Sequence, residues 1–405
     1  MTKRFFRKRR LALQSVMLSG ALGAACKAPA DTPTGAREWM LKPTDPPIDI
    51  PMDFMGLHSD HGVDGTTPAP DYEYDGIRSH DTADKRAYPC LQWALIETKP
   101  GEFDWTHVDE WIAANPDKTR IFVLFGCPTF YQKYPNEPWR YPYLPGGGSP
   151  PKDPQDAARF IAALLERHGD EIDYVELWNE PNFHWTGESL TEDRWLPKHK
   201  DSGFFTGTAA DLAGMAAALR PLMTAKTKLL MGSWEGQSAS ESMTSSLLRY
   251  AAAPDGRGGT GLRHVQAISV HCYIYENDPN KLIQELRDYN ARFKQAGYPD
   301  SMPRLVSEIG AEAPGFWTDD YPSMTAKVRN VKRWCMIPAA LGYQAVYLYK
   351  HSKMRTLGAP AEAPEIGQAI SEMRNSLRGQ RIRAAAELRD DTIWLQFEDG
   401  KTLRA

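Results

Sequence analysis

The sequence predicts a (β/α)8 TIM barrel carrying a small C-terminal β-strand appendage. Eight short apolar runs recur along the chain, and helix-like amphipathic segments separate them. Behind the last of them the pattern changes to strict alternation with turn residues, the signature of strands without helices.

The first thirty residues stand apart. A basic "MTKRFFRKRR", a short apolar "LALQSVMLSGALGAA" and "CKAPAD" follow the order of an export signal, with Ala28-Pro29-Ala30 placed for cleavage before Asp31. The run is too short and too rich in small residues for a stable membrane span. Arg9-Arg10 resembles a twin-arginine signal. Cys26 raises a lipid anchor, but Leu22 stands one place too far upstream, so a soluble periplasmic or secreted protein is expected. Residues 31–375 are then the barrel and 376–405 the appendage, with 31–50 an extended, Pro-rich lead-in.

The eight runs are "DFMGLH" (53–58), "GIRSHD" (76–81), "RIFVLFG" (120–126), "DYVELWN" (173–179), "KLLMGSW" (228–234), "VQAISVHCY" (265–273), "RLVSEIG" (304–310) and "AVYLYKH" (345–351). Between the third and fourth, Ala158, Ile161, Ala162 and Leu165 form a helical stripe. "TAADLAGMAAALRPLM" and "NKLIQELRDYNARFKQAG" read as helices too. No glycine-rich phosphate loop follows the first strand, which disfavours an open doubly wound sheet. The tail "RIRAAAELRDDTIWLQFEDGKTLRA" has turn signals at Asp390-Asp391 and Asp399-Gly400.

Charge narrows the partners. Of 48 basic residues, seven lie in residues 1–30, leaving 41 against 52 acidic ones and a net charge of −11. An acidic body disfavours nucleic acid. The remaining cysteines, Cys90, Cys127, Cys272 and Cys335, show no metal-ligand spacing.

Barrel enzymes keep their chemistry at the C-terminal ends of the strands. Glu180 ends the fourth strand and Glu308 lies on the seventh, 128 residues later, so the barrel brings both to one mouth. Two facing carboxylates are what glycoside hydrolysis needs, one to protonate the leaving oxygen and one to attack or stabilise the anomeric carbon. Alternation places Glu176 beneath Glu180, and Arg304 beneath Glu308, as buried supports.

"WNEP" on the fourth strand and "SEIG" on the seventh resemble clan A of the glycoside hydrolases, retaining enzymes on a (β/α)8 barrel. "CLQWALIETKPGEFDWTHVDEW" is similar to a segment after the second strand in family 39, the family most resembled. The resemblance implies Glu180 as acid/base, Glu308 as nucleophile and Asn179 as ligand of a sugar 2-hydroxyl. It also implies a substrate contact or a hydrogen bond to the nucleophile from strand six, where His271 and Tyr273 share a face. His58, Arg78 and His80 on the first two strands are further substrate-binding candidates. The mechanism needs no metal or cofactor, and none is expected. Trp178 or Trp185 is placed to supply an apolar wall for Glu180.

Aromatic residues crowd the segments after the strands, among them Phe130, Tyr131, Trp139, Trp185 and Trp317. Such faces stack on sugar rings, which points to an oligo- or polysaccharide. Strand eight departs from the clan pattern, with Tyr349 and Lys350 where a Trp is usual. Lys350, with His351, Lys353 and Arg355, forms a basic cluster suited to an anionic sugar. Two alternatives stay open: an endo-glucanase or mannanase of another clan A family, and a carbohydrate-binding barrel without activity.

Overall fold

In the computed structural model the described residues are 33, 35–58, 72–79, 91–135, 147–182, 204–234, 241–273, 278–310, 323–349 and 364–405, the side chains of 241–245 excepted. The elements run β1 (Ala36–Leu41), β2 (Ile48–Asp49), β3 (Met55–His58), β4 (Gly76–Ser79), α1 (Trp93–Ile96), β5 (Glu97–Lys99), β6 (Glu102–Phe103), α2 (Thr106–Ala114), β7 (Thr119–Leu124) and α3 (Pro154–His168). There follow β8 (Tyr174–Leu177), α4 (Ala209–Leu219), β9 (Lys228–Trp234), α5 (Glu241–Ala252), β10 (Ala267–Tyr273), α6 (Pro279–Gln295), β11 (Arg304–Gly310), α7 (Met324–Ala340), β12 (Ala345–Tyr349), α8 (Pro364–Leu377), β13 (Arg381–Leu388), β14 (Ile393–Phe397) and β15 (Thr402–Arg404).

The eight runs read from the sequence are the eight barrel strands. They close in the order β3-β4-β7-β8-β9-β10-β11-β12, and β12 returns parallel onto β3, Val346 opposite Met55. The helices start where their sequences allow. Asp153 caps α3 and Asp278 caps α6, each ahead of a proline in the first turn, and Thr208 with Asp211 forms a capping box on α4. The buried stripe of α3 is only partly the one expected, with Ala158 and Ile161 of the four buried. It runs through Ala157, Phe160, Ile161 and Leu164, leaving Ala162 and Leu165 on its flank, because the bulky Phe160 packs on Trp93 and Trp105.

The barrel floor is a separate apolar layer of Ile121, Leu230, Ala267, Leu305, Ala345 and Tyr347. Tyr347 spans this layer, and a Cβ at Gly56 or Gly76 would collide with its ring or hydroxyl. The buried polar cluster of Arg78, Glu176 and Glu308 lies above that plug.

The tail forms β13, β14 and β15, with both expected turns in place and left-handed residues at Asp391 and Gly400. The lead-in does more than extend. β1 pairs antiparallel with β13, and β2 pairs with the start of β13. Ile382, Ala385, Ile393, Leu395 and Phe397 join the main core, while Ala384, Ala386 and Trp394 cluster on the other face.

The segment that resembles family 39 turns out to be a clamp. Glu97 accepts from Trp93 Nε1 at 2.6 Å, from the Gly101 amide at 2.8 Å and from the Tyr131 hydroxyl at 3.0 Å. This fastens the β5–β6 hairpin to the barrel wall. Tyr131 is therefore spent on packing and does not serve as a free stacking face.

Candidate active site

Above the floor, β10 projects Ala267, Ser269, His271 and Tyr273 to one side by simple alternation. The other strands are less regular. The β10–β11 register shifts between Val270 and His271, and the β11–β12 register between Val306 and Ile309. The bulge turns both Ser307 and Glu308 inward. It also defeats the expected place of Arg304, which is half-buried at the strand start with its guanidinium 5.9 Å from the Tyr343 ring centre. Leu305 takes the inward position instead. At the ends of β8 and β9 the backbone is left-handed at Trp178 (φ 70°), Glu180 (φ 40°) and Ser233 (φ 52°). Non-glycine residues hold such angles at a cost of order 1–3 kcal/mol each, and they gather at functional sites.

Arg78 is the centre of the constellation. Fully buried, it donates from Nε to Glu176 at 2.6 Å, from Nη1 to Glu308 at 2.5 Å, and from Nη2 to Asn179 Oδ1 at 2.8 Å and Ser233 Oγ at 3.0 Å. Expected as a substrate ligand, it lies behind Glu308 with its donors engaged by the protein. Glu176, the other expected support, is completed by Ser269 at 2.6 Å and Ser307 at 3.1 Å.

Glu308 also meets His58 Nδ1 at 3.2 Å and accepts from the Tyr273 hydroxyl. Burial alone would push its carboxyl up. His271, Arg78 and His58 overturn that and hold it well below the usual carboxylate range. Burial first, then the charges of Arg78 and His58, depress His271 to about 3 despite Glu308. His271 is therefore neutral near pH 7, and the permanent cation keeping Glu308 ionised is Arg78.

His271 Nδ1 stands 2.6 Å from Glu180 Oε1 and 3.4 Å from Glu308 Oε2. A carboxylate oxygen of Glu180 and one of Glu308 lie within 4.8 Å of each other. The two carboxylates are thus close enough to reach one group bound between them. Glu180, His271 and Glu308 have the spacing to hold a metal ion. The Arg78 guanidinium against Glu308 opposes a second cation there.

Tyr349 completes the mouth, its ring edge-on to His58 at 4.7 Å and to Tyr273 at 5.5 Å. Trp178 does not face the glutamates. Its ring packs on Phe125 and Phe205, and its indole donates to the Phe204 carbonyl at 2.6 Å. His80, Trp139, Trp185, Trp317 and Lys350, with the basic residues after it, lie outside the described residues, as do residues 1–30. Ser233, Ser269 and Ser307 were not foreseen; hydroxyls on strands carry no signal of their own. A cleft of about 970 Å3 opens at the opposite end of the barrel, among Asp109, Arg167, His168 and Glu171. These side chains pair with one another.

No protein-family model matches the chain, and no curated protein does. Solved structures do. A family 39 glycoside hydrolase from the gut symbiont Bacteroides cellulosilyticus WH2 is similar with a TM-score of 0.59 at 16% identity, over 87% of this chain and 69% of that one. The catalytic domain of family 30 xylanase C from Talaromyces cellulolyticus gives 0.55 at 12% identity, over 90% and 85%. A glucosidase from Croceicoccus marinus gives 0.52 at 13%, over 90% and 77%. The fold is shared with glycoside hydrolases. At these identities the likeness is one of architecture, and it agrees with the clan resemblance read from the sequence.

Proposed function

We propose that the protein is a retaining glycoside hydrolase acting on an oligo- or polysaccharide, with Glu308 as nucleophile and Glu180 as acid/base. One observation carries the reading: two carboxylates within 4.8 Å at the mouth of the barrel, held in unlike environments. Glu308 is clamped by Arg78, His58 and Tyr273, which favours the ionised form a nucleophile needs. Glu180 lies 2.6 Å from the neutral His271, a hydrogen-bonding neighbour suited to a group that must give and retake a proton.

In the first step a Glu308 oxygen attacks the anomeric carbon while Glu180 protonates the leaving oxygen. In the second, Glu180 takes a proton from water, and that water releases the sugar from Glu308. Asn179 has Oδ1 occupied by Arg78, which leaves its amide nitrogen to donate to a sugar hydroxyl. Residues 1–30 serve export to the periplasm or beyond in this reading, residues 31–375 form the catalytic barrel and residues 376–405 the appendage.

The experiment is hydrolysis of a panel of aryl-glycosides and plant and bacterial polysaccharides, with the anomer of the first product followed by NMR. Retention of configuration is expected. Inversion removes the nucleophile assignment, and binding without turnover across the panel leaves a carbohydrate-binding barrel.

A further inference from the structure

Arg78 is one fixed positive charge touching two carboxylates. Only Glu308 is at the mouth. Glu176 is fully buried one layer below, and its three hydrogen bonds all come from donors: Arg78 Nε, Ser269 Oγ and Ser307 Oγ. The Ser269 oxygen accepts from the Ser233 amide at 2.7 Å, which turns its proton toward Glu176. Three donors therefore converge on this carboxyl, as suits an acceptor group.

The proposed chemistry shows why a second anion belongs there. When a Glu308 oxygen bonds to the anomeric carbon, the glycosidic bond breaks and the leaving oxygen takes the Glu180 proton. Glu308 becomes a neutral ester and Glu180 becomes an anion. The negative charge moves from the residue touching Arg78 to the one touching His271. A buried cation losing its only contact anion would meet a penalty of several kcal/mol.

We infer that Glu176 is a positioning residue acting through Arg78: it stays the guanidinium's contact counter-ion while Glu308 gives up its charge to the substrate. The inference rests on the retaining reading above. Sharing Arg78 with Glu176 also keeps Glu308 from being over-stabilised as an anion and so blunted as a nucleophile. Among the described residues, the other titratable groups facing this cluster are His58 on β3, Glu180 beyond β8, His271 and Tyr273 on β10, and Tyr347 and Tyr349 on β12, one below and one above.

The test uses the full chain and a dinitrophenyl β-glycoside that the wild type hydrolyses, read as kcat/KM against pH and as the burst of released phenol. In Glu176→Gln the whole charge of Arg78 falls on Glu308. The acid limb of kcat/KM should move down by roughly one pH unit. Glycosylation should slow about tenfold, and the burst should shrink because regenerating the carboxylate becomes easier. Glu176→Asp should return the limb to the wild-type position. Ser307→Ala, which removes a donor from Glu176 and concentrates its charge on Arg78, should move the limb up, and keeps the question answerable if the glutamine variant fails to fold. A limb that stays put in Glu176→Gln and Ser307→Ala, or an aspartate variant that matches the glutamine one, reduces Glu176 to a structural tie and overturns the inference. A wild type that hydrolyses no glycoside overturns the hydrolase reading and this inference with it; an active wild type with an unmoved limb overturns this one alone.

Discussion

His271 holds Nδ1 2.6 Å from Glu180 Oε1 inside a fully buried pocket, and it does so uncharged. An imidazole that refuses its proton in the folded state costs stability in acid. Its folded value, about 3, lies below the ordinary 6.5. Between those limits the unfolded chain binds the extra proton and the native one does not. Stability should therefore rise with pH from about 3 to 6.5 and fall on acidification through the same window, by about 1.4 kcal/mol per pH unit from this group. Urea unfolding at pH 6.5 and 4.5 for the wild type and His271→Gln measures it: the variant should lose the smaller amount, and equal losses would contradict a neutral His271.

The two glutamates should fail differently. Glu308→Ala should remove turnover of every substrate. Glu180→Ala should lose about 10²–10⁴-fold on substrates with poor leaving groups and little on activated ones. Azide should restore turnover in the second variant and yield a glycosyl azide of retained configuration. Equal losses on an activated aryl-glycoside, with no azide product, would contradict the division of roles.

Arg78→Lys should move the acid limb of activity upward. The ammonium cannot reach four acceptors, so Glu308 loses part of what holds its carboxyl below the usual range and protonates at a higher pH. Acceptors left without donors should also lower stability by about 1–3 kcal/mol. Titration of kcat/KM with pH, beside a denaturant curve, reads both; an unmoved limb would show that Arg78 does not keep Glu308 ionised.

Tyr347→Phe should leave the protein as stable or raise stability by about 1 kcal/mol, because the buried hydroxyl has no hydrogen-bond partner among the described residues. Gly56→Ala should instead lose about 1–3 kcal/mol, since its Cβ meets the Tyr347 ring. Thermal unfolding of both variants is the check, and a clear loss in Tyr347→Phe would reveal a partner for the phenol.

The barrel was legible because each strand is an apolar run bounded by polar turns, a pattern that burial on both faces imposes. Glu180 and Glu308 stood out because carboxylates are costly on such runs except at their open ends. Arg304 was misplaced for a specific reason: alternation assumes an unbroken pleat, and the irregularity after Val306 turns the strand by one residue. The role of Arg78 was hidden too. Nothing local distinguishes an arginine that faces a sugar from one that faces Glu176, Asn179 and Ser233, residues about 100 to 155 positions away.

The pairing of β1 with β13 has a consequence for how the chain matures. Arg37 meets Glu387 across 350 positions, so a chain made from its N-terminus carries β1 with an open edge until β13 has been synthesised. Loop closure over that distance is slow, and an unpaired strand is a site for wrong partners. The strands that follow the barrel are thus the ones that retire a strand made before it, and any step that requires the folded chain must wait for them.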